Sequence, residues 1–328
     1  MNKITHVNAT TVTEAASALA KGKAQVIAGG TDLTSSLKGM ISPNLPETIV
    51  NIKTIPDLTY IRTDGGLKIG ALATLTSIAN NSTIKSSYAA LAQAAQAVGS
   101  PELRNMGTIG GNICQKPRCI YYRNEFNDFY CMRKVNTGRC YALTGVNRYH
   151  SIFGAANGCV AVCPSDVAVA LVALNAKIIT NKNSAGWSAA EFFGAPAATD
   201  ARREQINNLG ADEIVTEIQV PAPASGTKST YRKFAFRKAI DFPLVSVAAV
   251  VTFSGSNVAT ANIVLGGVAD KPRVATQAQT SIVGKPINEA NATAAGNEAS
   301  TGANALAQNS YKIQITKAMV KRALLGCV

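Results

Sequence analysis

Two glycine-containing stretches decide how the chain is read: Ile27-Ala28-Gly29-Gly30-Thr31-Asp32-Leu33 and Asn105-Met106-Gly107-Thr108-Ile109-Gly110-Gly111-Asn112. The first closes a short apolar run at 25–28 that reads as a strand. Glycine carries no Cβ, so paired glycines let backbone N–H groups approach an anion closely, and successive N–H groups form an anion-binding nest. Thr31 adds a hydroxyl donor. The second stretch has three glycines in five residues, and Asn112 offers an amide donor and acceptor. Two such loops suit a dinucleotide with two phosphates, although either alone is equally a plain turn. Neither has the G-x-G-x-x-G spacing, so a Rossmann βαβ unit is not expected.

Outward from these loops the signals alternate. Thr11 and Glu14 have capping-box form and open a short helix ending near Gly22. Residues 48–52 read as a strand, and 58–62 and 67–71 flank Asp64-Gly65-Gly66 as a hairpin. The Ala-rich stretch 86–98 reads as one helix stopped by Gly99 and Pro101. Ser165 caps an apolar helix running to Leu174, and 176–180 returns as a strand. Pro221, Pro223 and Ala224-Ser225-Gly226 mark a boundary near 222–228. Beyond it come three strands (230–237, 246–253, 258–265) and helical signals at 275–283 and 303–325, an α+β pattern.

Composition narrows the function classes. With 328 residues the chain is long enough for two to three domains. No run of eighteen apolar residues appears, so no membrane span is expected, and the polar start gives no export signal. The expected compartment is the cytoplasm, the alternative being a periplasmic complex exported folded on a partner's signal. Two histidines disfavour multi-histidine metal sites and most acid–base triads. The net charge of +13 comes without a lysine tract or RNA-binding signature, so a basic face meeting acidic partner subunits is preferred over nucleic acid.

Cysteine usage stands out. Of seven cysteines, Cys114, Cys119, Cys131, Cys140, Cys159 and Cys163 lie within fifty residues, and Cys327 is next to last. An odd count without an export signal argues against a disulfide scaffold, whereas clustering favours metal ligands. The same stretch carries seven basic residues against Glu125 and Asp128, a net of +5. Four thiolates can hold a zinc ion or an iron–sulfur cluster. The close pairs Cys114/Cys119 and Cys159/Cys163 keep zinc open, and the local positive charge suits a cuboidal [4Fe–4S] cluster.

These residues together resemble the FAD-binding (medium) subunits of molybdenum hydroxylases, the group of xanthine dehydrogenase, carbon monoxide dehydrogenase and aldehyde oxidoreductases. Ala28 to Leu33 and Thr108 to Asn112 look like that family's two FAD loops. Pro164-Ser165-Asp166 looks like its third FAD contact, and Tyr231-Arg232-Lys233-Phe234 with Arg237 and Asp241 like the strand opening its C-terminal domain. The resemblance implies an α+β fold with a two-part FAD-binding domain of PCMH type over 1–223. Its subdomains would be about 1–55 and 56–223, with a [4Fe–4S] insertion at about 114–163. A C-terminal domain of the CO dehydrogenase flavoprotein type would follow over 228–328, a three-stranded sheet with helices.

The insertion resembles the branch that carries a [4Fe–4S] cluster. By that resemblance the ligands are Cys119, Cys131, Cys140 and Cys159, with Cys114 and Cys163 as extra thiols. The implied FAD contacts are Ile27, Ala28, Gly29, Gly30, Thr31, Asp32, Leu33, Thr108, Ile109, Gly110, Gly111, Asn112, Asp166 and Lys233. Bland alternatives accompany several of these: Asp32 as a turn cap, Asp166 as a helix cap, Lys233 as a solvated charge, His150 as a structural hydrogen-bonding residue. The implied role is electron transfer beside a molybdenum-cofactor large subunit and a small subunit with two [2Fe–2S] clusters. Electrons would leave to an external acceptor such as ferredoxin, a quinone or NAD. No catalytic base is implied on this chain. Three other readings are a flavin subunit of 4-hydroxybenzoyl-CoA reductase type, a stand-alone flavin oxidase, and a zinc-binding assembly module.

Overall fold

The computed structural model describes residues 3–194, 199–200 and 202–328, and these build three sheets in chain order. The first comprises β1 (Thr5–Asn8), α1 (Val12–Ala20), β2 (Ala24–Ile27), α2 (Leu33–Lys38) and β3 (Thr48–Asn51), with the strands parallel in the order β1-β3-β2. Thr11 caps α1 by accepting from Glu14 N at 3.1 Å, and the Glu14 carboxylate accepts from Thr10 N at 2.7 Å. Ala15, Leu19, Val50 and Ile52 form a small core beneath this sheet. The carboxyl end of β2 delivers Gly29-Gly30 to the edge where open parallel sheets characteristically bind ligands.

The second unit begins with β4 (Ile61–Thr63) and β5 (Gly66–Gly70). The helices α3 (Leu75–Asn80), α4 (Ser82–Ser87), α5 (Ala89–Gln96), α6 (Pro101–Met106) and α7 (Ile109–Ile113) follow. Then come α8 (Asp166–Ala173), β6 (Lys177–Thr180), β7 (Trp187–Ser188), α9 (Ala189–Phe192) and β8 (Val215–Pro221). Its strands pair antiparallel in the order β4-β5-β8-β6-β7. The third unit is β9 (Thr227–Phe234), β10 (Val245–Ser254), β11 (Asn257–Gly266), β12 (Arg273–Val274), α10 (Thr276–Ile282), α11 (Glu289–Glu298) and α12 (Tyr311–Leu325). Its antiparallel sheet has the order β12-β11-β10-β9.

Helix α8 explains how the second and third units join. Every one of its residues is buried, because it packs against α5 as well as β10 and β11. A helix with neighbours on all sides has no polar stripe, which is why DVAVALVA is apolar after its first residue. Between α7 and α8, residues 114–163 hold only two single 3₁₀ turns, Glu125–Asn127 and Tyr141–Leu143.

Several sequence expectations change in detail. The stretch 86–98 is two helices, broken at Tyr88, whose φ of −133° and ψ of 46° are not helical. Residues 58–62 split into a 3₁₀ turn at Pro56–Leu58 and the strand Ile61–Thr63. Pro101 is at the first turn of α6 with Ser100 as cap, so it starts a helix as well as ending one. The C-terminal sheet has a fourth, two-residue edge strand beyond the three expected. Strand β8, the middle of the five-stranded sheet, and helix α11 lie outside the sequence reading.

Helix α11 crosses α12 at Gly296, where an added Cβ would stand 2.5 Å from Lys317 O. Gly296→Ala is therefore expected to push the helices apart and destabilise the chain by about 1–3 kcal/mol, read from urea unfolding midpoints.

Candidate functional site

Carboxyl ends, loop turns and helix starts from all three units meet at one cleft of about 410 Å³. The residues Ile27, Ala28, Gly29, Gly30, Thr31, Asp32 and Leu33 line it on one side. Thr108, Gly110, Gly111, Asn112, Asp166 and Lys233 line the other parts. Ile109 does not reach it; its side chain is buried in the central core. The cleft also takes Gln115, Lys116, Arg118, Gln205, Ile240 and Phe242, none of which was singled out as a contact from sequence.

The two glycine loops differ in what they offer. Among the described residues, no protein acceptor takes the N–H groups of Gly29 to Leu33, while the Gly30 carbonyl accepts from Thr34 N and Thr34 Oγ1 at 3.1 and 2.7 Å. That row of donors suits a phosphate. In the second loop the donors are already used: Ile109 N bonds Ala73 O at 2.9 Å, Gly110 N bonds Ala71 O at 3.0 Å, and Gly111 N bonds Thr108 Oγ1 at 3.1 Å. The second loop therefore presents Cα surface, the Thr108 and Asn112 side chains, and no free row of N–H groups.

The glycines are also required for different reasons. A Cβ on Gly29 would stand 2.0 Å from Met106 O, so this glycine lets the first loop lie on the second. Gly30 has φ +71°, the left-handed region. A Cβ on Gly111 would meet only Thr108 Oγ1, at 3.1 Å, and otherwise nothing, which leaves that face open.

At the far wall, Ser165 caps α8 and donates to Asn112 Oδ1 at 2.6 Å, locking the second loop to the helix start. Asp166 is buried, and its carboxylate takes Lys233 Nζ at 2.8 Å and the Tyr231 hydroxyl. Burial pushes the Asp166 carboxyl up, and the Lys233 ammonium and Tyr231 hydroxyl oppose it. Lys233 also donates to Ala97 O at 2.9 Å, so its ammonium is bound by protein and is not a free solvated charge. Asp32 does not cap its own helix. Its carboxylate binds Arg118 and Arg123, both at 2.8 Å, and accepts from Lys116 N at 3.0 Å.

Those three partners of Asp32 come from the cysteine insertion. Lys116 also bonds the buried carboxylate Glu204 at 3.0 Å, where Tyr122 and Ser42 donate at 2.7 and 2.6 Å. The four cysteines gather behind this wall. Cys119 and Cys131 pack with Ile41 and the buried Tyr122. Cys140 and Cys159 lie side by side, and each thiol perturbs the other's ionisation, Cys140 upward and Cys159 downward. Arg133 Nε donates to Cys159 Sγ at 3.0 Å, and His150 Nε2 lies 3.2 Å from Cys119 Sγ. Cys163 belongs to the central core with Cys114 packed against it, and burial pushes both thiols up to about 12. Among the described residues, no three His, Cys, Asp or Glu side chains close around a single ion.

The insertion's positive charge points mostly inward. Lys116, Arg118 and Arg123 are spent on Glu204 and Asp32, and Arg133 and Lys134 are buried. Of the insertion's basic residues only Arg139 and Arg148 are exposed, and its two acidic residues, Glu125 and Asp128, are exposed as well. The basic face expected from the chain's net charge of +13 is therefore not supplied by this segment.

Residues 2–223 match the family of the FAD binding domain in molybdopterin dehydrogenase, and 229–327 match the CO dehydrogenase flavoprotein C-terminal domain. The chain belongs to the FAD-binding medium subunits of the molybdenum hydroxylases. It is 33% identical over 277 residues to the aldehyde oxidoreductase FAD-binding subunit PaoB of Escherichia coli, spanning 83% of each chain. It is 29% identical to the glyceraldehyde dehydrogenase medium chain of Sulfolobus acidocaldarius, covering 80% of this chain and 74% of that one. Its fold matches a chain of carbon monoxide dehydrogenase from Hydrogenophaga pseudoflava with a TM-score of 0.74 at 24% identity, covering 99% and 97%. As a member of this family of oxidoreductase subunits the chain uses FAD, and the phosphate-suited donors of the first loop fit that cofactor.

His150 gives this FAD-binding subunit a pH signature. Burial, and then the Lys312 ammonium, lower its imidazole from 6.5 to about 4. The unfolded chain takes up a proton below 6.5 that the folded chain refuses, so this stability is present above 6.5 and lost as pH falls towards 4. The loss amounts to about 3 kcal/mol at 1.36 kcal/mol per unit. Urea unfolding of His150→Asn is expected to show a flatter pH dependence across that window than the natural protein.

Proposed function

We propose that this subunit transfers electrons within a molybdenum hydroxylase complex that oxidises an aldehyde. Electrons would come from the two [2Fe–2S] clusters of a small subunit, themselves supplied by a molybdenum-cofactor large subunit. They would leave to an external carrier such as ferredoxin, a quinone or NAD. The aldehyde class is supported by two relatives whose names carry it, the aldehyde oxidoreductase subunit and the glyceraldehyde dehydrogenase chain. The FAD contacts would be Ile27, Ala28, Gly29, Gly30, Thr31, Asp32, Leu33, Thr108, Gly110, Gly111, Asn112, Asp166 and Lys233, with Ile109 supporting from the core.

The insertion would hold a [4Fe–4S] cluster on Cys119, Cys131, Cys140 and Cys159. The observation that carries this is the four gathered thiols with buried Arg133 and Lys134 beside them and no carboxylate paired to either cation among the described residues. Isolated buried cations are costly, and a dianionic cluster supplies the missing charge. A cuboidal cluster binds each thiolate to a different iron, so the sulfurs need not converge on one point, as a zinc ion would demand. When bound, FAD and the cluster supply the one- and two-electron chemistry that side chains lack.

The chain's own residues bind, orient and shield. The free N–H row of Gly29 to Leu33 would take the diphosphate. Asn112, fixed by Ser165, and Lys233, fixed by Asp166, would orient the rest of the cofactor. Arg118, stacked 4.6 Å over the Phe242 ring, closes the cleft on the side of the insertion.

The test is anaerobic purification with the partner subunits, followed by absorption spectroscopy and iron and acid-labile sulfide analysis. Flavin bands with a broad visible shoulder and about four irons on this chain are expected. Zinc without iron would overturn the cluster reading. Cys131→Ser should lose the shoulder and keep the flavin. Gly111→Ala, whose Cβ meets only a threonine hydroxyl, should stay folded and lose flavin affinity by roughly tenfold, read from fluorescence titration.

A further inference from the structure

The charge balance behind the cleft carries one step more, which rests on the cluster reading above. We infer that Lys134 and Arg133 are the counterions of the cysteine-bound cluster and hold its reduction potential up.

Lys134 is 2% exposed and Arg133 3% exposed, as buried as the core around them. Arg133 Nη1 donates to Arg203 O and Gln205 O at 3.0 and 2.9 Å, neutral carbonyls that leave its charge uncompensated. Its Nε faces Cys159 Sγ. Lys134 is satisfied more poorly still, with one long bond of 3.4 Å to Asn124 O and the Tyr122 ring at 5.8 Å. The ionisable groups that act on it are Cys131, Glu204, Cys119 and Asp128, two of them expected ligands. Glu204 is already engaged by Lys116, Tyr122 and Ser42, and Asp128 is exposed.

The inward-facing cations are thus Lys116, Arg118, Arg123, Arg133 and Lys134, set against Asp32 and Glu204. The excess is three positive charges, close to what a four-thiolate cluster of about 2− and its one-electron-reduced form require. Reduction adds negative charge to the cluster. A fixed cation in a low-dielectric surround stabilises the reduced form more than the oxidised one, so it raises the potential. Lys134 is the cleaner probe, because Arg133 also anchors the 203–205 backbone and its loss would move the cleft wall.

The experiment uses the full chain in its complex. Lys134→Met keeps the length of the side chain and removes its charge. Iron and sulfide are counted first, and the cluster is then titrated potentiometrically with electron paramagnetic resonance as the readout. The expected result is retained iron and a lower midpoint potential. The same titration of Arg148→Met, an exposed insertion residue, should show no shift. An unchanged or raised potential with iron retained overturns the inference. If Lys134→Met loses its iron, Lys134→Arg decides: retention there supports a charge requirement, and loss in both shows a packing role and overturns it. Absence of iron from the natural protein instead overturns the parent reading.

Discussion

The carboxylate of Asp32 ties the two halves of the site together. It belongs to a residue within the free N–H row of the first glycine loop, and its oxygens are taken by Arg118, Arg123 and the Lys116 backbone. All three belong to a fifty-residue segment with almost no regular structure. A segment with so few ladder hydrogen bonds depends on side-chain anchors for its position. Asp32 and Glu204 are two of those anchors, one beside the flavin loop and one on the 202–209 segment, and Gln308, Asn309 and Lys312 hold the insertion's later part. The insertion therefore abuts the cleft as a wall and is not a free appendage.

The same economy governs the glycine loops. Two sequences of similar composition do different physical work because their neighbours differ. Around Gly29 the constraint is a carbonyl of the second loop, and around Gly110 it is the Ala71 backbone at 3.0 Å. At Gly30 it is a dihedral angle. Only the first loop keeps its donors unspent, so an anion is drawn there, while the second loop gives shape and an amide.

Much of the site was legible in the sequence. The strand-to-Gly-Gly turn, the Ser165 cap and the clustering of cysteines each follow from local chemistry, and their residues converge on one cleft or one pocket of thiols. The resemblance to the flavin subunits supplied Lys233, which local chemistry would have left as a surface charge. Other parts were illegible for a definite reason. Arg118, Gln205, Ile240 and Phe242 reach the cleft from segments far apart in the chain, and no periodicity marks them. Ile240 is a β-branched residue at φ +72°, a conformation nothing in its local sequence announces. The insertion's net charge of +5 was legible, but which way its cations point was not, because a count of lysines and arginines carries no direction.

The sequence by itself determined the type of most of the elements it marked, the two glycine turns, the thiol inventory and the family. These depend on short-range rules: absent Cβ atoms, caps, alternation and apolar runs. The tertiary structure alone decided which glycine donors stay free, which way the insertion's cations point, and that Asp32 serves the insertion and not its own helix. Those outcomes are set by contacts between residues 70 to 91 positions apart, where burial and pairing decide the energy of every charge.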